Sequence, residues 1–444
     1  MLGEELAGSR GIGSLGISLV RAAREFGTPV YVLDAASVGW AAAQIEAAFP
    51  DPWIRQYSLK ANDLPAVVSL LAARGWGANV VSVGEWVQAR AADVAERSVT
   101  FEGIGKTDAE LEHTVAATAA GAPLRWLALE SPAEVLRLTQ VAERTGLGRG
   151  DIPPLDVLFR LNPQVQPETL PELAVGASSS KFGMGATEIM SLVRDSVGRP
   201  GLRVRGVHVH VGSDLHDVAA WAAAGVRAVH LLKQIASYTD SADTVDFGGG
   251  FPLSLTGAPT PASFAAALTH ALDDEGLELP TRRAIEPGRY LVGAAGWLVS
   301  SVLHARPRAP YPQQTVLDAG MTELIRPALY GSRHTVHALT AESWADEDLR
   351  DTAVEGPVCE LTDSFGIHPL PALRRGDLIA IEGAGAYAAS FTSRYNGRPQ
   401  PPEVLLYPGG SLRISERAAI TGLTGRTRDP HWSARWTAAM LSAG

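Results

Sequence analysis

The sequence predicts an α/β protein: a TIM-type (β/α)8 barrel over residues 36–290, and a mostly β domain assembled from residues 1–35 and 291–444. Three observations predict this. Between residues 54 and 290, short β-branched or apolar runs alternate with helical patterns, as βα units on a parallel sheet do. Those runs number eight, the count that closes a barrel. After Gly288 the strand-like runs continue, but turns rich in proline and glycine replace the helices between them.

In chain order, PVYVLD (29–34) comes before the eight and is assigned to the β domain. The eight are IRQYSL (54–59), NVVSV (79–83), VTFEG (99–103), RWLAL (125–129), DVLFRL (156–161), VRGVHVHV (204–211), TVDF (244–247) and RAIE (283–286). After the first of them, Leu64, Val67, Val68 and Leu71 fall at helical spacing. Thr107 to Glu110 and Ser131 to Glu134 each set a hydroxyl at an N-cap with a glutamate three residues on, a capping box, and Pro132 suits a first helical turn. Asn162 to Gly185 is a long connection rich in Pro, Ser and Gly that contains Lys181; loops of that length in a compact domain tend to be functional or mobile. Beyond the barrel, WLVSSVLHA (297–305), TVLDAG (315–320), DLIAIEG (377–383) and EVLLYPGG (403–410) are the strands expected of the β domain. The acidic stretch AESWADEDLRD (341–351) is expected to be a solvated loop.

Composition narrows the function. Apolar residues at 46% and charged ones at 19% describe a folded globular chain with a sizeable core. Lysine plus arginine total 38 against 48 acidic residues, a net charge of −10, and no basic stripe tracks a phosphate backbone, so no nucleic-acid partner is expected. The first thirty residues carry acid where a secretion signal is basic. No uncharged apolar stretch reaches the ~18 residues of a membrane span. A cytoplasmic protein with no membrane partner is expected. The single cysteine, Cys359, rules out an intrachain disulfide and a multi-cysteine metal site, and no metal is expected. Only four of the basic residues are lysines, Lys60, Lys106, Lys181 and Lys233, which makes each one worth a reason.

In a (β/α)8 barrel the reactive groups gather where the strands end at their C-termini, often with a phosphate site after the seventh and eighth strands. Four features fall on that rim: Lys60 after the first run, His210 near the end of the sixth, Gly248-Gly249-Gly250 after the seventh and Glu286-Pro-Gly-Arg289 at the end of the eighth. A lysine amine among apolar and aromatic neighbours such as Tyr57 and Leu59 loses hydration, which favours the neutral form that makes a Schiff base. Three glycines after a strand let backbone N–H groups approach a phosphate closely. By strand alternation His210 and His208 face the same side. Taken singly, each feature has a structural use: a surface charge, a tight turn, a packed ring.

Together these motifs resemble the fold-type III pyridoxal phosphate enzymes, with their alanine-racemase-like barrel, and among them the diaminopimelate and ornithine decarboxylase group. The resemblance covers nearly the whole chain. YSLKAN (57–62) is similar to the family's Schiff-base lysine motif, HVHVGS (208–213) to its histidine strand, and DFGGGFP (246–252) and EPGRYLV (286–292) to its phosphate motifs. SKFGM (180–184), MTELIRPALYG (321–331), CELTD (359–363) and GAYAASFTSRYNGRPQPPEVLL (385–406) match in the family's order. The resemblance implies pyridoxal 5'-phosphate as cofactor, with Lys60 bound to it, His210 stacked on its ring and Glu286 paired with its pyridine nitrogen. It implies that Ser213, Gly249, Gly250, Gly288 and Arg289 hold the phosphate and that Tyr387 contacts the cofactor. Arg289, Arg326, Tyr330, Glu360 and Tyr387 would line the substrate site. Cys359 would return a proton once carbon dioxide has left, and would reach across from the partner subunit of a homodimer with shared active sites.

The implied activity is decarboxylation of an amino acid, diaminopimelate-like, with a D- or meso-configured centre and a polar distal group, as in lysine biosynthesis. One position departs from the usual diaminopimelate pattern, CESGD: Leu361 stands where a polar residue is common. That departure, with FEGIGKT (101–107) and NVVSVGEW (79–86), brings in an alternative, a specialised enzyme acting on an amino-acid conjugate in a peptide-antibiotic, siderophore or aminoglycoside pathway. An amino-acid racemase is disfavoured because DLPAV (63–67) replaces the AYGHG stretch expected after the lysine motif. Retention of both Lys60 and Cys359 argues against a non-catalytic cofactor-binding regulator.

Overall fold

The computed structural model of the chain describes residues 13–253, 257–339, 349–407 and 410–413. They divide into two compact units, Ala35–Ala294 and, from both sides of it, 13–34 with 295–413. The first strand, β1 (Val30–Asp34), belongs to the second unit. Eight strands of the first unit close a parallel barrel: β2 (Ile54–Ser58), β3 (Gly77–Val80), β4 (Val99–Phe101), β5 (Trp126–Leu129), β6 (Leu155–Leu161), β7 (Leu202–Val209), β8 (Thr244–Asp246) and β9 (Arg282–Ile285). The seam closes where Ile54 pairs with Ala284 and Arg55 with Ile285.

All eight expected runs are strands, and two are displaced: VRGVHVHV was expected over 204–211, whereas β7 runs Leu202–Val209 and leaves His210 just beyond it. NVVSV was expected over 79–83, whereas β3 begins at Gly77 and stops at Val80. Gly77 serves as a strand residue because a Cβ there would lie 1.7 Å from Gln56 Oε1 and 2.3 Å from the Ser98 carbonyl. The strand stops early because Ser82 caps the helix Val83–Ala91: its hydroxyl accepts the Glu85 N–H at 3.2 Å, while the Glu85 carboxylate accepts the Val81 N–H at 2.8 Å. Thr107 and Glu110 make the reciprocal capping box expected of them. At Ser131 only half of the box forms. Its hydroxyl accepts the Glu134 N–H, but the Glu134 carboxylate turns away to the Glu130 N–H at 2.7 Å and to a buried ion pair with Lys106 at 2.9 Å. Leu64, Val67, Val68 and Leu71 are all buried by the helix Pro65–Ala72.

Outside the barrel wall, Phe49, Trp53, Trp221, Phe247, Phe251 and Phe264 pack mostly edge to face, with Phe251 and Phe264 centroids 4.9 Å apart. Phe247 and Phe251 flank the three glycines, so this cluster pins both ends of that loop. Burying rings of this size is worth roughly 1.5–3 kcal/mol each.

The second unit is built on a nine-stranded sheet. With β1 it contains β10 (Gly296–Arg308), β11 (Tyr311–Leu317), β12 (Val336–Ala338), β13 (Arg350–Glu355), β14 (Ser364–Leu370), β15 (Leu378–Glu382), β16 (Glu403–Tyr407) and β17 (Gly410–Arg413). As expected, β1 joins this sheet, antiparallel to β10 and parallel to β16. One face buries Val30, Val32, Val299, Val404 and Leu406 under Leu19, Ala22 and Ala23 of the helix Gly13–Phe26. Antiparallel β13 and β14 form a hairpin whose connection carries CELTD. Of the acidic stretch, residues 341–348 lie outside the described residues, as do 1–12 at the start of the chain and 408–409 of the run EVLLYPGG.

Candidate active site

Eight of the sequence-predicted residues meet on one rim of the barrel. Lys60 lies in the short turn Leu59–Ala61 that leaves β2, half-buried, with the turn braced where the Tyr57 hydroxyl donates to the Asn62 carbonyl at 2.7 Å. His210 is the first residue beyond β7. Its Nδ1 accepts the Gly249 N–H at 3.2 Å, which leaves the ring proton on Nε2. Burial, reinforced by the charges of Lys60 and Arg160, pushes the His210 pKa well down, so the ring is a neutral plate.

The glycine loop is a cradle with no room for side chains. A Cβ on Gly249 would stand 2.4 Å from the Glu286 carbonyl, and Gly250 has φ +114° with Leu215 and the Gly212 carbonyl against it. Gly288 is closed in by Ser58 and Ala61, each 3.1 Å from the position of a Cβ. Buried Arg289 reaches back to donate to the Ser213 hydroxyl at 3.2 Å.

Glu286 follows β9 and is only 5% exposed. Burial alone would raise its pKa, but the charges of the neighbouring His208 and of Lys60 pull it down to about 2. Its Oε1 has no hydrogen-bond partner. A buried carboxylate held ionised with an unsatisfied oxygen is a site for a cationic or N–H partner. With a lysine amine, a neutral imidazole and tight backbone amides around it, the set fits pyridoxal phosphate: a protonated ring nitrogen for Glu286, a plate for the ring, and a side-chain-free cradle for the phosphate.

The remaining predicted residues belong to the second unit. Cys359, Glu360 and Leu361 sit exposed on the β13–β14 connection, Leu361 completely so. The Glu360 carboxylate accepts from the Tyr395 hydroxyl at 2.7 Å. The connection hangs on buried Asp363, which accepts the Met321 N–H at 2.5 Å and the Val358 N–H at 2.6 Å. Arg326 is buried, stacks over the Tyr330 ring at 5.6 Å and donates to Ser332. Tyr387 takes a left-handed backbone, φ 55°, with its ring 6.0 Å from that of Phe391.

Sequence reasoning missed a second tier of charged residues beneath the rim. Glu102, Glu130, Arg160, His208 and Asp246 are all buried at or just past the ends of barrel strands. Arg160 and Glu130 form an ion pair at 2.6 Å, and the Arg160 guanidinium lies over Phe182 at 4.7 Å. Glu130 also accepts the Gly183 N–H at 3.3 Å, so this pair ties the SKFGM segment of the long loop to the barrel. The signal was one charged residue at the end of strand after strand, a costly place for charge without a use.

A (β/α)8 barrel with this lysine, carboxylate and glycine cradle defines a pyridoxal phosphate enzyme. Residues 36–293 match the family model described as pyridoxal-dependent decarboxylase, pyridoxal binding domain, and the chain belongs to that family. It is a pyridoxal-phosphate-dependent amino-acid decarboxylase, a carboxy-lyase. Among its relatives, the diaminopimelate decarboxylase of Zymomonas mobilis is 30% identical over 94% of this chain and 96% of its own length. That of Deinococcus radiodurans is 35% identical over 87% of this chain and 92% of its own. The crystal structure of diaminopimelate decarboxylase from Helicobacter pylori complexed with L-lysine superposes with a TM-score of 0.83 at 29% identity, covering 91% of this chain and 98% of that one.

Proposed function

We propose that this enzyme decarboxylates meso-diaminopimelate to lysine. The observation that carries this reading is the nearly end-to-end likeness to diaminopimelate decarboxylases, one of them crystallised with L-lysine. The conjugate-decarboxylating alternative has no comparable support.

In this reading residues 36–290 are the cofactor domain and 1–35 with 291–444 the β domain; of these, 1–12, 254–256, 340–348, 408–409 and 414–444 lie outside the described residues. Lys60 Nζ would hold the cofactor covalently. Glu286 keeps the ring nitrogen protonated, His210 Nε2 faces away from the amide that Nδ1 binds while the ring stacks, and Ser213 with the Gly249, Gly250, Gly288 and Arg289 backbone holds the phosphate. When bound, pyridoxal phosphate supplies an electron-accepting ring that takes up the pair left as the carbon–carboxylate bond breaks. Arg289, Arg326, Tyr330, Glu360 and Tyr387 orient the substrate's charged ends, and Tyr387 also touches the cofactor. Cys359 Sγ–H gives its proton to the carbon that lost carbon dioxide. An exposed cysteine and, two residues on, a fully exposed leucine suit a loop that docks on a second subunit, and we propose a homodimer with shared sites. Among the described residues no helix is long and apolar enough to cross a membrane, and we propose a cytoplasmic location.

The test is incubation of the cofactor-loaded enzyme with meso-diaminopimelate, with lysine and carbon dioxide read by mass spectrometry. Equimolar lysine and carbon dioxide are expected. No lysine from protein that retains the visible absorbance of bound cofactor would overturn the substrate.

A further inference from the structure

We propose that His208, held between Glu102 and Glu286 inside the barrel, is a positioning residue that keeps Glu286 a carboxylate for the cofactor's ring nitrogen, and that Glu102 is its counter-charge, releasing a proton to solvent when the cofactor binds. The inference rests on the reading above that Glu286 faces that nitrogen.

The geometry is a row. His208 Nδ1 lies 3.1 Å from Glu102 Oε2, and Nε2 lies 3.6 Å from Glu286 Oε2. The three come from the ends of β4, β7 and β9, so the barrel fixes their separations. All are buried, at 3%, 1% and 5% exposure, where each charge needs an opposite neighbour. The far oxygen of Glu102 accepts the Trp126 indole N–H at 3.2 Å, which orients the carboxylate toward His208.

The other groups around the row are accounted for. Asp246 on β8 faces both glutamates, burial among them drives its pKa well up, and its Oδ1 accepts the Gly248 N–H at 2.9 Å. Arg160 on β6 is engaged by Glu130, and Lys106 after β4 by Glu134. His210 is neutral, and Lys60 acts on Glu286 from the rim. What is left is Glu102, His208 and Glu286, two acids and one base. Burial pushes Glu102 up to about 7 despite the His208 charge, while that charge helps hold Glu286 near 2 and the acids hold His208 up.

A cation beside Glu286 changes the balance. With Glu102 ionised, ring N–H, Glu286, His208 and Glu102 alternate in sign and sum to zero. With Glu102 protonated, two cations flank one carboxylate. Glu102 is protonated below about pH 7 and ionised above it, so its contribution to cofactor affinity appears as pH rises through about 7 and then levels.

The experiment titrates apoprotein with pyridoxal phosphate between pH 6 and 8.5, for the unsubstituted chain and for Glu102→Gln. The cofactor's own ionisations are common to both and cancel in the ratio of dissociation constants. That ratio is expected to move about tenfold across the window in favour of the unsubstituted chain; a flat ratio overturns the proposal. His208→Asn should weaken binding by a similar factor, and adding Glu102→Gln to it should change nothing more. Additive losses overturn the coupling. Should a variant not fold, nitrogen NMR of the unsubstituted apoprotein decides: a charged His208 ring at pH 7.5 supports the row, a neutral one overturns it. Glu286→Gln separates this inference from the reading beneath it. Unchanged affinity and absorbance in that variant would refute the ring-nitrogen assignment itself, whereas a flat ratio beside an impaired Glu286→Gln refutes only the row.

Discussion

The barrel rim and the β13–β14 hairpin carry their chemistry in opposite ways. On the rim, Glu286 and Arg289 are buried, and strand ends, glycine contacts and an aromatic cluster fix their neighbours. On the hairpin, Cys359, Glu360 and Leu361 stand in solvent, and one buried carboxylate, Asp363, holds the connection from below. A binding site must exist before its ligand arrives, so its groups are preorganised at a cost in buried polarity. A proton donor can be delivered on a loop, provided something else completes its surroundings.

The sharpest break of that comparison is Lys60→Ala. Removing the amine should lower turnover by ~10⁴-fold or more and abolish the absorbance of covalently held cofactor, with the barrel still folded. A persisting band would move the covalent role off Lys60. Next comes Cys359→Ala, expected to slow turnover by about 10²- to 10⁴-fold, the usual weight of a positioned proton donor, while cofactor affinity stays unchanged. Loss of cofactor in that variant would make the hairpin part of the binding site and erase the contrast. Third is Asp363→Ala. It leaves the Met321 and Val358 N–H groups without their acceptor, a loss of about 1–3 kcal/mol for each group left unpaired in a buried place. Turnover should fall less than in Cys359→Ala and the melting temperature more, since the loop loses its anchor and keeps its thiol.

Much of this was legible in the chain. The eight barrel strands follow from alternation of apolar runs and helices, because a parallel strand buried on both faces cannot hide its composition. The cap at Thr107 was legible because both of its partners are local. The half-made box at Ser131 was not, since Glu134 is diverted by Lys106, 28 residues away. The end of β3 was misread for a similar reason: Val81 and Val83 look like strand, and the hydrogen bonds of Ser82 and Glu85 override them. In the site, Lys60, His210 and the glycines were marked by motif. Glu102, His208 and Asp246 lie inside the quoted motifs but received no role, because what singles them out is burial beside one another, and proximity across a barrel leaves no spacing to count.

The smallest effect belongs to Leu361→Ser, and it sharpens the comparison most. In the single chain Leu361 is fully exposed, so the substitution should leave the folding stability of a dilute monomer within about 0.5 kcal/mol, as for an ordinary surface change. Turnover on meso-diaminopimelate should change by less than about tenfold, since serine restores only one hydroxyl near a polar substrate, worth ~1 kcal/mol. The dimer is different. If the hairpin docks on a partner, burying the leucine there is worth roughly 1.5–3 kcal/mol in each of the dimer's two hairpins, and Leu361→Ser should raise the dimer dissociation constant by about 10²- to 10⁴-fold. Sedimentation at nanomolar to micromolar concentration reads this directly. An unchanged dissociation constant would leave the hairpin solvent-facing in the assembly, and Cys359 would then have to work within its own chain.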